Sequence, residues 1–566
     1  MLSKLVIAGL LSLVLAAPAA AARVVLMPGV TYERQVELTP HGPVAVHVLT
    51  APRPGGLYGL APALSNGVVS GREPLSAIER RASATATVAG VNGDFFAASG
   101  EPSGIVLRSG VLDHPPEADR SSIGLAADGS LRVEQVVYNG IWRGVSGRRP
   151  IRLNAIPGKN GVSLFTRSWG AATPPIAGSL EAVVPSLPPT TPNTDLFGTV
   201  SQVGPSNGGT AIPRGGAVVL ARGTGAARFA AEVPAGTNLF LRFILTPTWS
   251  DVTDAIGGGP LIVRGGKPVF RAGETFSPQL LAPRQPRTAV GQLADGRIVL
   301  VAVDGAAAGY SVGMTNFELA LTLVRLGAVT GAALGSGTQT TMAFDGTLLD
   351  RPSSPGGELP LSDALLVSYS GVYVPQLAPV LSPNGDGVDE RQSLSYRVVR
   401  PSTVTATLTG PGGVTQPLDA GARAPGTYKF TWDGATALEG RWRLVVNAVD
   451  DQGRASSADR TFTLDKTLGF LATPASVGVR RAGSSLRGSF VLAHPAQVRA
   501  TIERPSGVVV RRLFARSLDT GTVPLTWNGR DDRGTLVFAG RYVLRVTATN
   551  ELGTMSLTKP FRVRRG

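Results

Sequence analysis

Apolar and polar residues alternate in short runs from Arg23 onward, and Gly, Asn and Asp separate the runs. A period of two with such breaks predicts β-strands joined by turns. Residues 283–305 (PRQPRTAVGQLADGRIVLVAVDG) predict a β-hairpin whose turn is Ala294-Asp295-Gly296. Its second strand, Arg297–Val303, is almost continuously apolar, so we expect it to be buried.

One segment has the period of a helix instead. Residues 311–328 (SVGMTNFELALTLVRLGA) combine capping-box spacing at Thr315 and Glu318 with a broad apolar face. We therefore interpret Glu318 as a capping residue. A short strand, AVTGAAL, follows and leads into LGSGTQTTM at 334–342.

The C-terminal third contains an internal repeat. TWDG at 431–434 precedes GRWRLVVNAVDDQG at 440–453, and TWNG at 526–529 precedes GRYVLRVTATNELG at 540–553. Upstream, VTATLTGPGG at 404–413 matches VRATIERPSG at 498–507. Strands of this length with glycine-rich turns predict two tandem β-sandwiches of about 90–100 residues each.

The first copy opens with a loop rich in oxygen-bearing side chains, LSPNGDGVDE at 381–390. Asn384, Asp386, Asp389 and Glu390 supply the ligand type that a hard cation requires. A calcium site, with Asn384, Asp386 and Asp389 as metal ligands, and a plain Asx-turn remain open alternatives.

The N-terminus has the features of a secretory signal peptide over residues 1–22. A positive start through Lys4 precedes the apolar run Leu5–Ala17, and Ala20 and Ala22 fit a cleavage site before Arg23. An uncleaved anchor is the alternative. No later segment is apolar for long enough to span a membrane, and the chain has no cysteine. We expect an exported bacterial protein that is secreted, periplasmic or on the cell surface.

The charge balance excludes one class of partner. The 566-residue chain has a formal net charge of +15, yet it has no long basic run and none studded with aromatic residues. Nucleic-acid binding is therefore not indicated. A polyanionic envelope or substrate would suit the charge, and a merely basic surface is the alternative.

Four features before residue 310 are candidates for chemistry. Asn92-Gly93-Asp94 pins a carboxylate between a turn and two phenylalanines, and Gly257, Gly258 and Gly259 would let a ligand approach the backbone. Arg287 offers a forked cation for phosphate, and Asp304 ends a buried strand. Each also has an ordinary structural interpretation, as a hairpin turn, a strand-entry turn, a surface arginine or an Asp-Gly turn.

The order of these motifs resembles a known family. The series GVNGDFF, GEPSGIVLRSG, IGGGPLIVRGG, PRTAVG, LVAVDG, SVGMT-x-x-ELA, LGA and LGSGTQTTM, within about Val44–Val374, resembles the phosphodiester glycosidase family. From about Tyr373, SPNGDGVDE, TWDG and the G-R-aromatic strands resemble the immunoglobulin-like module of flagellar hook-cap proteins. The resemblance implies an α+β glycosidase domain at 23–372 followed by two all-β immunoglobulin-like sandwiches at 373–466 and 467–566, which would act as spacer or adhesion modules.

The resemblance also implies an activity, cleavage of a sugar–phosphate diester in envelope or extracellular glycans without a catalytic cofactor. Asp304 matches the motif position that we expect to be the principal catalytic carboxylate, and Arg287 matches the phosphate clamp. Asn92 and Asp94 would serve as a sugar-binding group and a second carboxylate, and Gly257–Gly259 as a substrate loop.

One motif departs from the family pattern. The usual loop reads L-D-G-G-G-S-x-T-M, whereas this chain has Gly335 at the aspartate, Ser336 at the next glycine and Gln339 at the serine. Ser336, Thr338 and Gln339 could then hold a glycan or glycosyl phosphate by neutral hydrogen bonds. The alternative function is a catalytically degenerate protein that still binds glycan or phosphate.

Overall fold

The computed structural model describes residues 23–479 and 486–565, so the predicted signal peptide at 1–22 lies outside the described residues. The contacts divide the described chain into two compact units. The first comprises the residues up to Ser83 together with Val88–Ser368, and the second comprises Ala84–Thr87 together with the residues from Tyr369 onward. The predicted domain limits at residues 372 and 466 stay predictions.

The first unit is built mainly from short strands, as the alternating pattern predicts. In chain order they are β1 (Val24–Met27), β2 (Val30–Thr39), β3 (Gly42–Ala51), β4 (Tyr58–Leu64), β5 (Thr87–Asn92), β6 (Val106–Arg108), β7 (Val111–His114), β8 (Ser121–Ala126), β9 (Leu131–Gln135), β10 (Val137–Gly144), β11 (Gly147–Pro150), β12 (Arg152–Leu153), β13 (Val162–Thr166), β14 (Ser179–Val184), β15 (Asp195–Thr199), β16 (Gln202–Ser206), β17 (Ala217–Ala221), β18 (Asn238–Thr246), β19 (Val252–Gly257), β20 (Leu261–Arg264), β21 (Lys267–Pro268), β22 (Arg287–Leu293), β23 (Ile298–Val303), β24 (Ala328–Ala333), β25 (Met342–Phe344), β26 (Thr347–Leu348) and β27 (Asp363–Tyr369).

Helices are few in this unit. Within the part of the chain that the structure describes they are α1 (Leu75–Ala82), α2 (Gly223–Glu232), α3 (Pro278–Leu281) and α4 (Asn316–Arg325). The helix prediction is confirmed by α4, and Thr315 and Glu318 form the predicted capping box. Leu319 and Leu323 of α4 are buried in one cluster with Val299 and Val301 of β23, which places the helix against the largest sheet.

The eight-stranded sheet has the order β1-β2-β3-β23-β22-β24-β20-β21. The predicted hairpin is its centre, because β22 pairs with β23 from Arg287↔Val303 to Gln292↔Ile298. Both β23 and β24 are antiparallel to β22, and β20 is antiparallel to β24. The ends of β23 and β24 and the starts of β22 and β20 therefore meet at one edge, here called the motif edge.

Four smaller sheets complete the first unit, and two of them supply residues near the motif edge. Their orders are β26-β25-β5-β27-β4, β7-β6-β19-β8-β9, β12-β13-β17-β14-β16 and β11-β10-β18-β15. Strand β5 is buried along its whole length. Asn92 at its end and Asp94 just after it are buried as well, so this segment lies in the interior.

The described residues of the second unit contain no α-helix, and apart from one 3₁₀ turn at Pro411–Gly413 their elements are strands. They are β28 (Val380–Leu381), β29 (Gln392–Val398), β30 (Ser402–Thr409), β31 (Thr415–Arg423), β32 (Gly426–Trp432), β33 (Gly440–Asp450), β34 (Ala455–Leu464), β35 (Leu468–Ala472), β36 (Ser476–Val479), β37 (Leu486–Leu492), β38 (Ala496–Glu503), β39 (Val509–Leu518), β40 (Gly521–Trp527), β41 (Gly540–Asn550) and β42 (Gly553–Arg565). Each half has its own buried apolar cluster.

The sequence repeat has a structural counterpart. The five-stranded sheets β28-β34-β33-β30-β31 and β36-β42-β41-β38-β39 have the same order, and β29-β32 and β35-β37-β40 accompany them. Repeat-related aromatic residues also pack alike: Trp432 contacts Trp442 and Phe462, and Trp527 contacts Tyr542 and Phe561.

The described chain is thus mostly β-strand. The first unit is mostly β-strand with four short helices, so the expected α+β class is supported only in this coarser form. Among the described residues, no helix combines the length and apolar character needed to cross a bilayer.

Candidate functional site

The sequence motifs converge along the motif edge. Asp304 follows β23, Arg287 starts β22, Gly335 follows β24, and Leu261 starts β20. Since neighbouring strands are about 4.8 Å apart, Asp304 and Gly335 belong to strand ends roughly 10 Å apart. Residues from β5 and β8 approach the Gly335 end of this edge.

Asp94 lies at that end and is buried with only one carboxylate oxygen in use. Its Oδ1 accepts a hydrogen bond of 2.7 Å from Nη2 of Arg120. Its Oδ2 is buried without a hydrogen-bond partner among the described residues. A buried carboxylate oxygen without a donor costs free energy, and such atoms in folded proteins call for an explanation.

Arg120 is the cation of this site, and none of the sequence motifs includes it. Its Nη2 also donates to the carbonyl of Gly258 at 3.1 Å. Its guanidinium carbon lies 5.1 Å from the ring centroid of Phe95 and 4.9 Å from that of Phe276. Two rings and a carboxylate fix the orientation of a guanidinium, and the Nε of Arg120 is buried without a partner among the described residues.

A second carboxylate lies against the first. Asp363, at the start of β27, accepts a hydrogen bond of 2.9 Å at Oδ1 from the backbone N–H of Asp94. Burial, together with the smaller effect of the negative charge of Asp94, raises the pKa of Asp363 to about 7. The pair therefore holds a proton on Asp363 at neutral pH more readily than an exposed aspartate would.

The Gly257–Gly259 loop belongs to this site for a different reason than predicted. The N–H groups of Gly257 and Gly259 already donate to the carbonyls of Ile105 and Ala333, at 2.7 and 2.8 Å. A Cβ built on Gly257 would lie 2.2 Å from Oδ2 of Asp94. The glycine is needed so that the carboxylate fits, and its N–H does not point to a ligand.

Asn92 has a bridging position. Its Nδ2 donates to the carbonyl of Gly335 at 2.8 Å, and its Oδ1 accepts from Oγ1 of Thr288 at 2.6 Å and from the N–H of Thr341 at 3.2 Å. Asn92 is 1% exposed. Its contacts tie β5 to the ends of β22 and β24, which supports a structural role rather than sugar binding.

The LGSGTQTTM loop lies between β22 and the Asp94 turn. The N–H of Gly335 donates to the carbonyl of Gly93 at 2.8 Å, and the N–H of Gly337 donates to that of Pro286 at 2.9 Å. Ser336 is half-buried and accepts a weak hydrogen bond from Gln285 at 3.4 Å. Gly337–Gln339 form one 3₁₀ turn, which leaves Thr338 exposed and Gln339 half-buried.

Gly335 occupies a crowded position. A Cβ built there would lie 3.0 Å from Nδ2 of Asn92, 3.0 Å from the carbonyl oxygen of Gly93 and 3.1 Å from that of Asp94. In this chain an aspartate at residue 335 would direct its side chain at two carbonyl oxygens. The conformation of the loop therefore favours glycine at residue 335.

The geometry contradicts the phosphate-clamp role expected of Arg287. The side chain is buried, its Nε donates to the carbonyl of Met314, and its Nη2 donates to the carbonyls of Leu280, Leu281 and Pro283. Burial lowers the pKa of Arg287 to about 10. The guanidinium holds the end of α3 and the residues just after it, and it has no anionic partner among the residues that the structure describes.

Asp304 is placed in a separate and well-satisfied cluster. Its Oδ2 accepts from Nε2 of His47 at 2.9 Å and from the hydroxyl of Tyr310 at 2.7 Å, and its Oδ1 accepts from the N–H of Arg351 at 3.1 Å. The other ring nitrogen of His47 lies 2.8 Å from the hydroxyl of Tyr32. None of these partners contacts Asp94, so the structure does not bring the two predicted carboxylates together by contact.

A nearby cleft of about 490 Å³ contains a second pair of titratable side chains. Nε2 of His114 lies 3.5 Å from Oε1 of Glu101. Nδ1 of His114 lies 2.7 Å from the carbonyl of Gly104, which can only accept, so Nδ1 carries a proton and Nε2 is the atom that exchanges one. A Cβ on Gly104 would lie 2.8 Å from Oδ2 of Asp94, which places this cleft next to the Asp94 site.

The predicted calcium loop holds its own backbone. Oδ1 of Asn384 accepts from the N–H of Asp386, and Asp386 accepts from the N–H groups of Val388 and Phe470, at 2.8 to 3.0 Å. Among residues 23–479 and 486–565, no group of three or more His, Asp or Glu side chains is arranged to hold a metal ion. These contacts favour the Asx-turn, and the calcium site with Asn384, Asp386 and Asp389 remains an untested prediction.

The residues that were missed do not share one sequence signal. Arg120 follows Asp119 in a connection without a motif, whereas Glu101 lies within the GEPSGIVLRSG motif and His114 ends β7. Asp363 could have been found, because it adjoins the apolar run ALLV just as Asp304 follows a buried strand.

Comparison with known proteins gives two matches to family models. Residues 193–368 match the phosphodiester glycosidase model, and residues 477–551 match the FlgD Ig-like domain. The first match includes Gly257–Gly259, Arg287, Asp304 and Asp363, whereas Asp94 and Arg120 precede it. A search of the curated proteins finds no significant match.

Solved structures provide the other comparisons. A hypothetical protein from Synechocystis is 27% identical, with a TM-score of 0.52, over 62% of this chain and 64% of that one. A Burkholderia pseudomallei protein described as exported is 22% identical, with a TM-score of 0.48, over 57% and 74% of the two chains. The zebrafish N-acetylglucosamine-1-phosphodiester alpha-N-acetylglucosaminidase catalytic domain is 12% identical, with a TM-score of 0.33, over 61% and 84%. The chain thus spans less than two thirds of the Synechocystis protein.

Proposed function

We propose that the first unit, whose residues 193–368 match the phosphodiester glycosidase family model, is a hydrolase that cleaves glycosyl phosphodiesters. The observation that carries the proposal is the fixed guanidinium of Arg120, which is oriented by Asp94 and the Phe95 and Phe276 rings beside the family's glycine loop. A rigid, nearly buried guanidinium is suited to binding a phosphate group.

The adjoining cleft would take the sugar. Its volume of about 490 Å³ lies within the usual range for small-molecule sites. Glu101 and His114 face each other in this cleft, and Ala118 in its wall is two residues from Arg120. The sugar and the phosphate of one diester would thus bind on neighbouring surfaces.

The chemistry follows from the nature of the leaving group. A phosphate monoester leaves as a stable anion, so rupture of the anomeric C–O bond needs charge stabilisation more than protonation. The bonding electrons go to the phosphate oxygen, which Arg120 stabilises, and the Glu101 carboxylate faces the developing positive charge on the sugar. Water adds to the anomeric carbon and gives its proton to Nε2 of His114.

The test is sugar release by the purified protein from a panel of glycosyl phosphodiesters, with free sugar and phosphate monoester measured together. Glu101→Gln should lower kcat/KM by about 100-fold, because it removes the charge that stabilises the transition state. Asp295→Asn is the matched control, since Asp295 is exposed in the turn at the opposite end of β22 and β23. Equal activity of both variants would contradict the assignment of Glu101.

Binding without hydrolysis is the second candidate function, and one observation favours it. Gly335 replaces the family's loop aspartate, and a Cβ there would make tight contacts of 3.0 to 3.1 Å with its neighbours. Wild-type protein that binds glycosyl phosphates but releases no sugar from any of them would support this alternative.

The second unit would serve as a spacer or adhesion module on an exported bacterial protein. Residues 477–551 match the FlgD Ig-like domain, and the preceding copy has the same order of strands in its five-stranded sheet. We therefore propose that 373–466 is a second immunoglobulin-like module. Proteolysis that releases two fragments of similar size would support this division.

A further inference from the structure

A carboxylate of the chain itself occupies a cluster of hydrogen-bond donors beside Arg120. Oε2 of Glu274 accepts from the N–H of Ser121, and Oε1 accepts from the hydroxyl of Ser121 and from the N–H of Leu261, each at 2.7 Å. Ser121 is 4% exposed, so these donors are turned away from bulk water. Three converging donors around one anion make an anion-binding nest.

Glycine at residue 259 leaves the space that the Glu274 carboxylate occupies in this nest. A Cβ built on Gly259 would lie 2.5 Å from Oε2 of Glu274 and 2.9 Å from the Phe276 ring. The backbone at Gly259 also has a φ of 110°, which disfavours other residues. The family's glycine loop thus opens a space that an anionic group fills.

Glu274 belongs to a strap, defined here as residues 269–282. Its first end is held by the N–H of Val269, which donates to the carbonyl of Ile262 at 2.8 Å. Its last end is held by Arg287, whose Nη2 donates to the carbonyls of Leu280 and Leu281. Arg287 therefore has a role at the site after all, as the anchor of this strap.

The middle of the strap is held by few contacts. Besides Glu274, the N–H of Thr275 donates to the carbonyl of Asp119 at 3.1 Å, and Phe276 packs on Arg120 and on the Phe95 ring. A largely apolar cavity of about 700 Å³ lies between the strap and the start of α4, and Phe270 of the strap is 78% exposed. Displacing the middle of the strap would break few packed contacts, while both ends stay attached.

We propose that the nest of Ser121 and Leu261 binds the phosphate of the substrate, and that Glu274 blocks it as a built-in competitor when the strap is docked. The proposal deepens the proposed hydrolase function and rests on it for the identity of the anion. A phosphate would receive the three hydrogen bonds that Glu274 now accepts, beside an Arg120 guanidinium that Asp94, the Gly258 carbonyl and the Phe95 ring still hold when Phe276 leaves with the strap. The strap and the substrate therefore exclude each other.

Binding of inorganic phosphate, measured by calorimetry on the full chain at low ionic strength, tests the nest directly. Glu274→Gln should bind phosphate at least about tenfold more tightly than the wild type, because the competing charge is removed and the open form is more populated. Asp295→Asn removes the same charge from an exposed site and should change the affinity by less than about twofold.

A second substitution distinguishes phosphate binding by the donors of the nest from a general effect of changing the strap. Ser121→Ala in the Glu274→Gln background removes one donor and should abolish the gain in affinity. Glu274→Ala provides a check that does not depend on the glutamine amide, and it should also bind phosphate more tightly than the wild type. Unchanged affinity in both Glu274 variants, or a gain that survives Ser121→Ala, would overturn the proposal.

Sugar release by the same proteins distinguishes this proposal from the hydrolase function. Tighter phosphate binding in Glu274→Gln without hydrolysis by any variant would support the nest and contradict the hydrolase. If the wild type hydrolyses the substrate and Glu274→Gln leaves the affinity for phosphate unchanged, only the proposal of the phosphate-binding nest is contradicted.

Discussion

Two aspartates near the motif edge have contrasting surroundings. Both oxygens of Asp304 accept hydrogen bonds, from His47, Tyr310 and the backbone of Arg351. Asp94 is equally buried, yet its Oδ2 has no donor among the described residues, and a second carboxylate lies against its backbone.

The difference indicates which aspartate serves stability and which serves function. A saturated polar network rigidifies the protein and leaves no group free for a substrate. An incomplete network costs stability, and proteins retain such costs mainly at functional sites. Asp304 therefore fits a structural role, and Asp94 with Arg120 fits the site.

The largest expected effect is on stability. Asp304→Asn should lower the free energy of unfolding by about 3 kcal/mol, because a buried charged network loses its central acceptor. Urea unfolding measures this change in the free energy of unfolding. The exposed Asp295→Asn should stay within about 0.5 kcal/mol of the wild type. If Asp304→Asn lowers the free energy of unfolding no more than Asp295→Asn does, the structural role of Asp304 is contradicted.

The next effect depends on pH. Because the pKa of Asp363 is raised to about 7, this carboxyl group favours the folded state at low pH, and that contribution is lost as pH rises from about 4 to 7. Asp363→Asn keeps the acceptor for the Asp94 N–H and removes the charge. The variant should unfold like the wild type near pH 4 and be more stable by about 2 kcal/mol at pH 8.

Urea unfolding at both pH values measures this difference. If the difference between Asp363→Asn and the wild type were the same at both, burial of the charge would not be the cause.

A smaller effect concerns the altered loop. Gly335→Ala should cost about 1–2 kcal/mol, because its Cβ meets two carbonyl oxygens and an amide in a packed setting. Gly204→Ala is the matched control, since no atom lies within 4 Å of a Cβ built there. Thermal unfolding compares the two. A neutral Gly335→Ala would show that the loop has room for the family's aspartate.

The smallest expected effect is that of calcium. Because Asn384 and Asp386 already accept backbone hydrogen bonds, added calcium or chelator should shift the unfolding temperature of the full chain by less than about 1 °C. A calcium-dependent rise of several degrees that Asp386→Asn removes would establish the site that the sequence suggested.

Sequence patterns predicted the local elements of this protein well. The hairpin at 283–305, the helix at α4 and the C-terminal repeat all follow from periodicity, turn residues and a capping box, and these are properties of neighbouring residues. The patterns gave one clear helix in the first unit, and they did not identify α1, α2 and α3.

The site was harder to predict because it is made by side chains from distant loops. The motif positions lie along one edge of the sheet, where Arg287 contacts backbone carbonyls and Asp304 contacts His47 and Tyr310. Arg120 and Glu274 lie in connections without any pattern. Only the tertiary structure shows that glycines at 257 and 259 make room for carboxylates.

The most direct test of the roles assigned to Arg120 and Asp304 compares Arg120→Gln with Asp304→Asn in sugar release from a glycosyl phosphodiester, per molecule of folded protein. We expect Arg120→Gln to lower kcat/KM by about 100-fold or more, because it removes the cation that stabilises the leaving phosphate. We expect the kcat/KM of Asp304→Asn to stay within about threefold of the wild type, and this difference is the central claim. The reverse order, with Asp304→Asn inactive and Arg120→Gln active, would contradict it.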